Sequence, residues 1–188
     1  MIEPDGRRRR TLESRERIID AMVALTLAGR VSVSAEQVAE RAEVGLRTVF
    51  RHFKDMDSLY REISRIMEAR IADVVAQPFS APDWQGRLVE LIGRRARVFE
   101  TITPIKRAEA AHRHRSHFLE ADSARMNHRL REILAGVVPT EIREDAARFE
   151  ALDLLLSFES WDRLRREQGL SAARAKAVLE TAVRGVIA

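Results

Sequence analysis

Apolar residues recur at three- and four-residue steps along most of the chain, the spacing of one face of an α-helix. Ile18, Met22 and Leu25, widened by Ile19 and Val23, predict a first helix from about Leu12 to Ala28, capped by Thr11 and stopped by Gly29. Val38, Ala39 and Ala42 predict a short second helix. Its start is strongly marked. Ser34-Ala35-Glu36-Gln37 is a capping box, and Val33 and Val38 flank it at hydrophobic-staple spacing. Glu43-Val44-Gly45 then predicts a turn, and a third short helix spans about Leu46 to Phe53. Two short helices about so tight a turn, with apolar Val44 inside it, form the helix-turn-helix pattern. The first helix is expected to pack across both and close a small three-helix core.

A fourth helix begins near Asp55, with Leu59, Ile63, Ile66 and Val74 on one face, and breaks at Pro78. After a loop over 77–83, a fifth helix is predicted from Trp84 to about Glu100. Pro104 is expected to open a shorter helix to about His114. A seventh helix should run from about Phe118 to Ala135, ended by Gly136 and Pro139. The stretch from Ile142 to about Gln168 reads as one long helix. Leu154-Leu155-Leu156 covers more than one of its faces, so it is expected to be buried on two sides. Gly169 ends it, and Ser171 caps a last helix carrying Ala175, Val178, Leu179, Ala182, Val183 and Val186. No segment alternates in the manner of a strand. The expected fold is all-α, with about nine helices: a three-helix head over residues 1–54 and a larger helical body over 55–188.

Composition narrows the chemistry. Of 188 residues, 45% are hydrophobic and 33% charged, the balance of a folded globular chain. There is no cysteine, which excludes disulfides and thiolate metal sites. No signal peptide and no membrane span are expected. The net charge of +4 is modest, so position matters more than total. Arg7, Arg8, Arg9 and Arg10 form an unbroken basic block. Such a block is either a solvated tail or an arm that neutralises phosphates or enters a minor groove.

On the third helix Arg47 and Arg51 stand four apart, on one face. A helix that enters the major groove needs donors there, and Arg meets guanine O6 and N7 with two hydrogen bonds. Leu46 can touch a thymine methyl. Val49 and Phe53 are expected in the core.

The segment Ser34 to Leu59 resembles the head of the TetR (tetracycline-repressor-like) regulators. Val38-Ala39-Glu40-Arg41-Ala42 matches the capped second helix, and Thr48-Val49-Phe50-Arg51-His52-Phe53 matches the recognition helix. The resemblance covers about the first third of the chain. Three positions depart from it. Glu43 stands where the family has a turn glycine, Gly45 where it has a serine, and Met56 where it has a lysine, a role Lys54 can take. The resemblance implies DNA contacts from Ser34, Gly45, Leu46, Arg47, Thr48, Phe50, Arg51, His52 and Lys54, assisted by Arg7 to Arg10. Thr48 and His52 would face phosphates.

For the body, the resemblance implies a homodimer through the last two helices, with Leu155, Phe158, Leu164, Val178, Leu179, Ala182, Val183 and Val186 at the interface. It also implies a small-molecule effector pocket, for which Ile63, Met67, Trp84, Leu88, Leu91, Phe99, Met126 and Trp161 are candidates. For each of these, ordinary core packing is the leading reading. Arg94, Arg95 and Arg97 read as solvated. His112, His114, His117 and His128 cluster in sequence, but no pair has i, i+4 spacing and arginines flank them, so no metal site, catalytic residue or cofactor is expected. The implied function is a bacterial cytoplasmic, nucleoid-associated regulator, a repressor released from a palindromic double-stranded operator by an effector. A transcriptional activator, a ligand-independent regulator, a helical protein-interaction module and a histidine-dependent metalloenzyme are the alternatives, the last without any cofactor or metalloprotease motif in its favour.

Overall fold

The helical periodicity is realised as ten α-helices, with no strand among the described residues. The computed structural model describes residues 5–30 and 32–188. The helices are α1 (Asp5–Leu27), α2 (Ala35–Arg41), α3 (Leu46–His52), α4 (Met56–Ala76), α5 (Trp84–His112), α6 (His117–Val137), α7 (Thr140–Glu144), α8 (Ala146–Leu155), α9 (Phe158–Asp162) and α10 (Ala172–Ile187). A 3-10 turn over Arg113–Arg115 links α5 to α6, and a π-helical turn over Arg163–Glu167 extends α9.

These elements form two compact units. The first takes the described residues up to Arg70 together with Pro104–Asp122; the second takes Ile71–Thr103 and Ser123–Ala188. In the first, Ile18, Met22, Val38, Val49, Leu59, Ile63 and Leu119 are almost wholly buried in one cluster. The staple is made, since Val33 and Val38 both enter that cluster. In the second, Leu91, Phe99, Leu134, Leu152, Trp161 and Val183 form the centre of the core. Phe99 meets Phe158 edge to face, with ring centroids 5.6 Å apart. Trp161 is buried with its indole N–H donated to Glu100 at 2.9 Å, and Arg165 holds the same carboxylate through Nε and Nη2.

Three stretches differ from expectation. α1 starts at Asp5, so the arginine block lies in its first turns and is not a tail. Arginine is a good helix former, and Arg9 reaches Glu13 one turn on at 3.5 Å. α5 runs unbroken through Pro104. The ring removes one amide donor, but Ile102 and Ile105 on either side are each buried in their own unit, and packing outweighs one missing bond. Finally, the long helix expected over 142–168 is three helices. Asp145 accepts from the Arg148 amide to start α8, and Ser157 accepts from the Ser160 amide to start α9, both at 3.1 Å. Each such cap stabilises a new start by about 1 kcal/mol.

Candidate nucleic-acid interface

The candidate surface is built from the ends of α2 and α3. Ser34 Oγ accepts the Gln37 amide at 3.3 Å while Gln37 Oε1 accepts the Ser34 amide at 3.0 Å, closing the capping box at the start of α2. At its other end the Glu43 amide donates to the Glu40 carbonyl and the Val44 amide to that of Ala39, at 3.1 and 3.0 Å. This is a Schellman motif, and it requires a left-handed residue at its pivot. Glu43 holds that conformation with φ of 54°. Val44 packs against the head's core, which fixes the angle at which α3 leaves the turn. Gly45 is the N-cap of α3 and offers no side-chain hydrogen bond. A Cβ there would meet nothing within 4 Å, so glycine is not demanded by space.

α3 has a clear inside and outside. Val49 and Phe53 are buried, as their spacing required. Arg47 and Arg51 are exposed, as are Leu46 and Phe50. Lys54, just beyond the helix, is exposed too. Thr48 and His52 are half-buried at the flank. His52 Nε2 has no hydrogen-bond partner among the described residues. Burial, then the nearby charges of Arg51 and Arg15, hold the imidazole below its ordinary pKa, which favours the neutral ring. Arg15 on α1 stacks over Phe53 at 5.2 Å and pairs with Glu62 on α4 at 3.1 Å, so one side chain links α1, α3 and α4. Asp55 caps α4 by accepting from the Ser58 amide at 2.8 Å. The sequence reading placed the start of the fourth helix at Asp55 but did not single out Arg15 or Glu62. Arg9 and Arg10 are exposed on α1; the side chains of Arg7 and Arg8 lie outside the described residues.

In the second unit, Arg94 and Arg95 are buried, which corrects their reading as solvated. Arg94 donates to the carbonyls of Val75 and Pro78 at 3.4 Å and stacks on Phe79 at 4.1 Å, closing the C-terminal end of α4. Arg95 donates to the carbonyls of Leu156 and Leu130. Burial lowers its pKa to about 10. The interval Leu88, Leu91, Arg95, Phe99, Ile102 places Arg95 on the core stripe of α5, a signal that was present in the sequence.

The effector candidates fall on core positions. Ile63 and Met67 are buried in the first unit; Leu88, Leu91, Phe99 and Trp161 are buried in the second, with Trp84 and Met126 packed partly against them. An open cleft of about 300 Å³ lies between α5 and α10, and Leu88 is the one candidate on its wall, beside Val89, Ile92, Val183 and Ile187. Of the interface candidates, Phe158, Leu164, Leu179 and Val183 are buried within the chain. Leu155, Ala182 and Val186 are half-buried and Val178 is exposed. Leu154, 67% exposed, joins that outward set and was not among the candidates. The clustered histidines diverge: the His112 ring lies tilted beside Tyr60 with centroids 6.0 Å apart, while His128 lies 3.3 Å from Glu132 on the α6 surface.

An all-α chain with an exposed basic second helix in a helix-turn-helix has the build of a helical transcription regulator. Solved structures agree on the fold. A transcriptional regulator from Rhodococcus sp. Rha1 superposes with a TM-score of 0.66 at 16% identity, covering 94% of this chain and 95% of that one. The multidrug binding protein EbrR, complexed with imidazole, gives 0.61 at 23% identity over 95% and 90%. A TetR transcriptional regulator from Rhodococcus sp. RHA1 gives 0.55 at 20% over 92% and 95%. No protein-family profile matches the chain, and no curated protein matches it by sequence. The chain has the TetR-type regulator fold.

Proposed function

We propose that this protein is a sequence-specific DNA-binding transcriptional regulator, a homodimeric repressor released from a palindromic operator by a small molecule. The observation that carries the reading is the division of α3: Val49 and Phe53 lock it into the head while Arg47 and Arg51 point outward. That leaves two guanidinium forks on a helix that the head presents at its surface, and guanine is the base edge they fit. Ser34, Gly45, Thr48, His52 and Lys54 flank the helix and supply phosphate contacts, with Arg7 to Arg10 adding charge from the first turns of α1. Residues 1–54 are the DNA-binding part and 55–188 the effector-binding and dimerising part.

Dimerisation runs through the outward residues of α8 and α10, Leu154, Leu155, Val178, Ala182 and Val186. Two heads related by a two-fold axis then read two half-sites. The fold match to EbrR, a multidrug binding protein seen with imidazole, supports a small-molecule effector in the body. Release by linkage requires the effector to favour a head spacing that does not fit the operator.

The test is a salt titration of binding to the DNA upstream of the protein's own gene, against random duplex. Arg47→Ala is expected to erase most of the preference for the upstream DNA, a loss of about 1–3 kcal/mol. Changing Arg7 to Arg10 to glutamine is expected to weaken both duplexes alike and flatten the salt dependence. A wild-type protein with no preference between the duplexes overturns the reading.

A further inference from the structure

Two apolar side chains stand in the open on α3, and the packing of the head gives no reason for them. Leu46 is 38% exposed and Phe50 47%. They are four residues apart, so they sit one above the other on a single stripe of the helix. Arg47 and Arg51 form the adjacent stripe at the same spacing, and Val49 and Phe53 face inward. A lone exposed leucine is ordinary on a protein surface. A leucine and a phenylalanine stacked beside two guanidinium groups make a surface of mixed chemistry, and its occupant must match both stripes.

An apolar protein surface would cover Leu46 and Phe50 but strip water from Arg47 and Arg51 without pairing them, at a cost of several kcal/mol. The floor of the DNA major groove satisfies both stripes. Guanine offers O6 and N7 as paired acceptors, and thymine offers the C5-methyl group, the one apolar projection in that groove. Phenylalanine has no hydroxyl to give a phosphate, so Phe50 makes no hydrogen bond to the backbone and contributes apolar contact.

We infer that Leu46 and Phe50 read thymine C5-methyl groups, and that the bound half-site therefore carries thymines next to the guanines met by Arg47 and Arg51. The inference rests on the DNA-binding reading above and specifies its target. Leu46 adjoins Arg47 and Phe50 adjoins Arg51 along the chain, so each apolar reader has a guanidinium partner one residue away.

The experiment selects preferred duplexes from a random pool with the full chain, then replaces each thymine in turn by deoxyuridine, which removes only the methyl. Wild-type protein should bind about fourfold more weakly for each methyl that is read, and about fifteenfold when both half-sites are changed. Leu46→Ala and Phe50→Ala, at exposed positions, should each lose the thymine-over-uracil preference at one position of the half-site and keep it at the other. If Arg47-dependent, sequence-specific binding survives every uracil replacement within twofold, the methyl reading is overturned and the regulator reading stands. If the variants keep the full preference, other residues read the methyl and the assignment is overturned. If no duplex is preferred at all, both readings fail together.

Discussion

Glu43 is the most informative single position for a stability measurement. It is the pivot of the Schellman turn between α2 and α3, with φ of 54°. The corresponding pivot after α1 is Gly29, at φ of 81°, with the same pair of closing bonds from the Gly29 and Arg30 amides. The chain thus makes one turn twice, once with glycine and once with a residue that carries a Cβ. Placing that Cβ in the left-handed region costs about 1–2 kcal/mol. Glycine would remove the cost but brings more freedom to the unfolded chain, worth about 0.4–1 kcal/mol. Glu43→Gly should therefore stabilise the head by a net of about 0.5–1 kcal/mol. At this chain length that is a rise in Tm of about 1–4 °C. Glu43→Ala keeps the Cβ and the strain, and should fall at or below wild type. Thermal and urea unfolding followed by circular dichroism separate the two. Equal shifts for glycine and alanine, or a fall with glycine, would show that the exposed carboxylate and not the backbone governs this position.

Three further outcomes follow from the same geometry. Ser34→Ala opens the capping box, and should cost about 1 kcal/mol in urea unfolding while leaving α3 in place. Arg95→Ala removes charge-assisted bonds to the Leu130 and Leu156 carbonyls inside the second unit, and should cost about 3 kcal/mol, whereas Arg97→Ala at an exposed position should cost little. His52 has a folded pKa below its ordinary value of 6.5, so the unfolded chain binds its proton more tightly. Its contribution is complete above about pH 6.5 and is lost as pH falls towards the lower folded value; His52→Gln should flatten the decline in Tm between pH 7 and 5.5.

The head was legible because its signals are local. A capping box, a staple and a three-residue turn each lie within a few residues, and their chemistry is written in residue types. The unusual residue at Glu43 was legible through the family resemblance, which places a turn glycine at that pivot. The body was harder. Pro104 has the form of a helix start, yet α5 continues through it, with Ile102 and Ile105 buried on either side. Asp145 and Ser157 are valid N-caps, but the dense leucines between them read as one uninterrupted helix. The core-stripe spacing of Arg95 was readable, but the carbonyl partners of Arg94 and Arg95 are distant in sequence or beyond a loop and could not be read from it. The outward face of α8 was misplaced by the same long-helix reading, which hid Leu154 among its neighbours.

The seven residues of α3 also set a limit on information. At 1.5 Å per residue the helix is about 10 Å long, the rise of about three base pairs. Three pairs distinguish about 64 sequences, and two heads about 4,000, against roughly a million or more competing sites in a genome. As the proposed reading helix, an α3 this short cannot address one operator by its own contacts. On the proposed reading of a homodimer on DNA, the missing bits reside in geometry: the distance between the two heads acts as a ruler, and the bases between the half-sites count through how readily they bend or twist to match it.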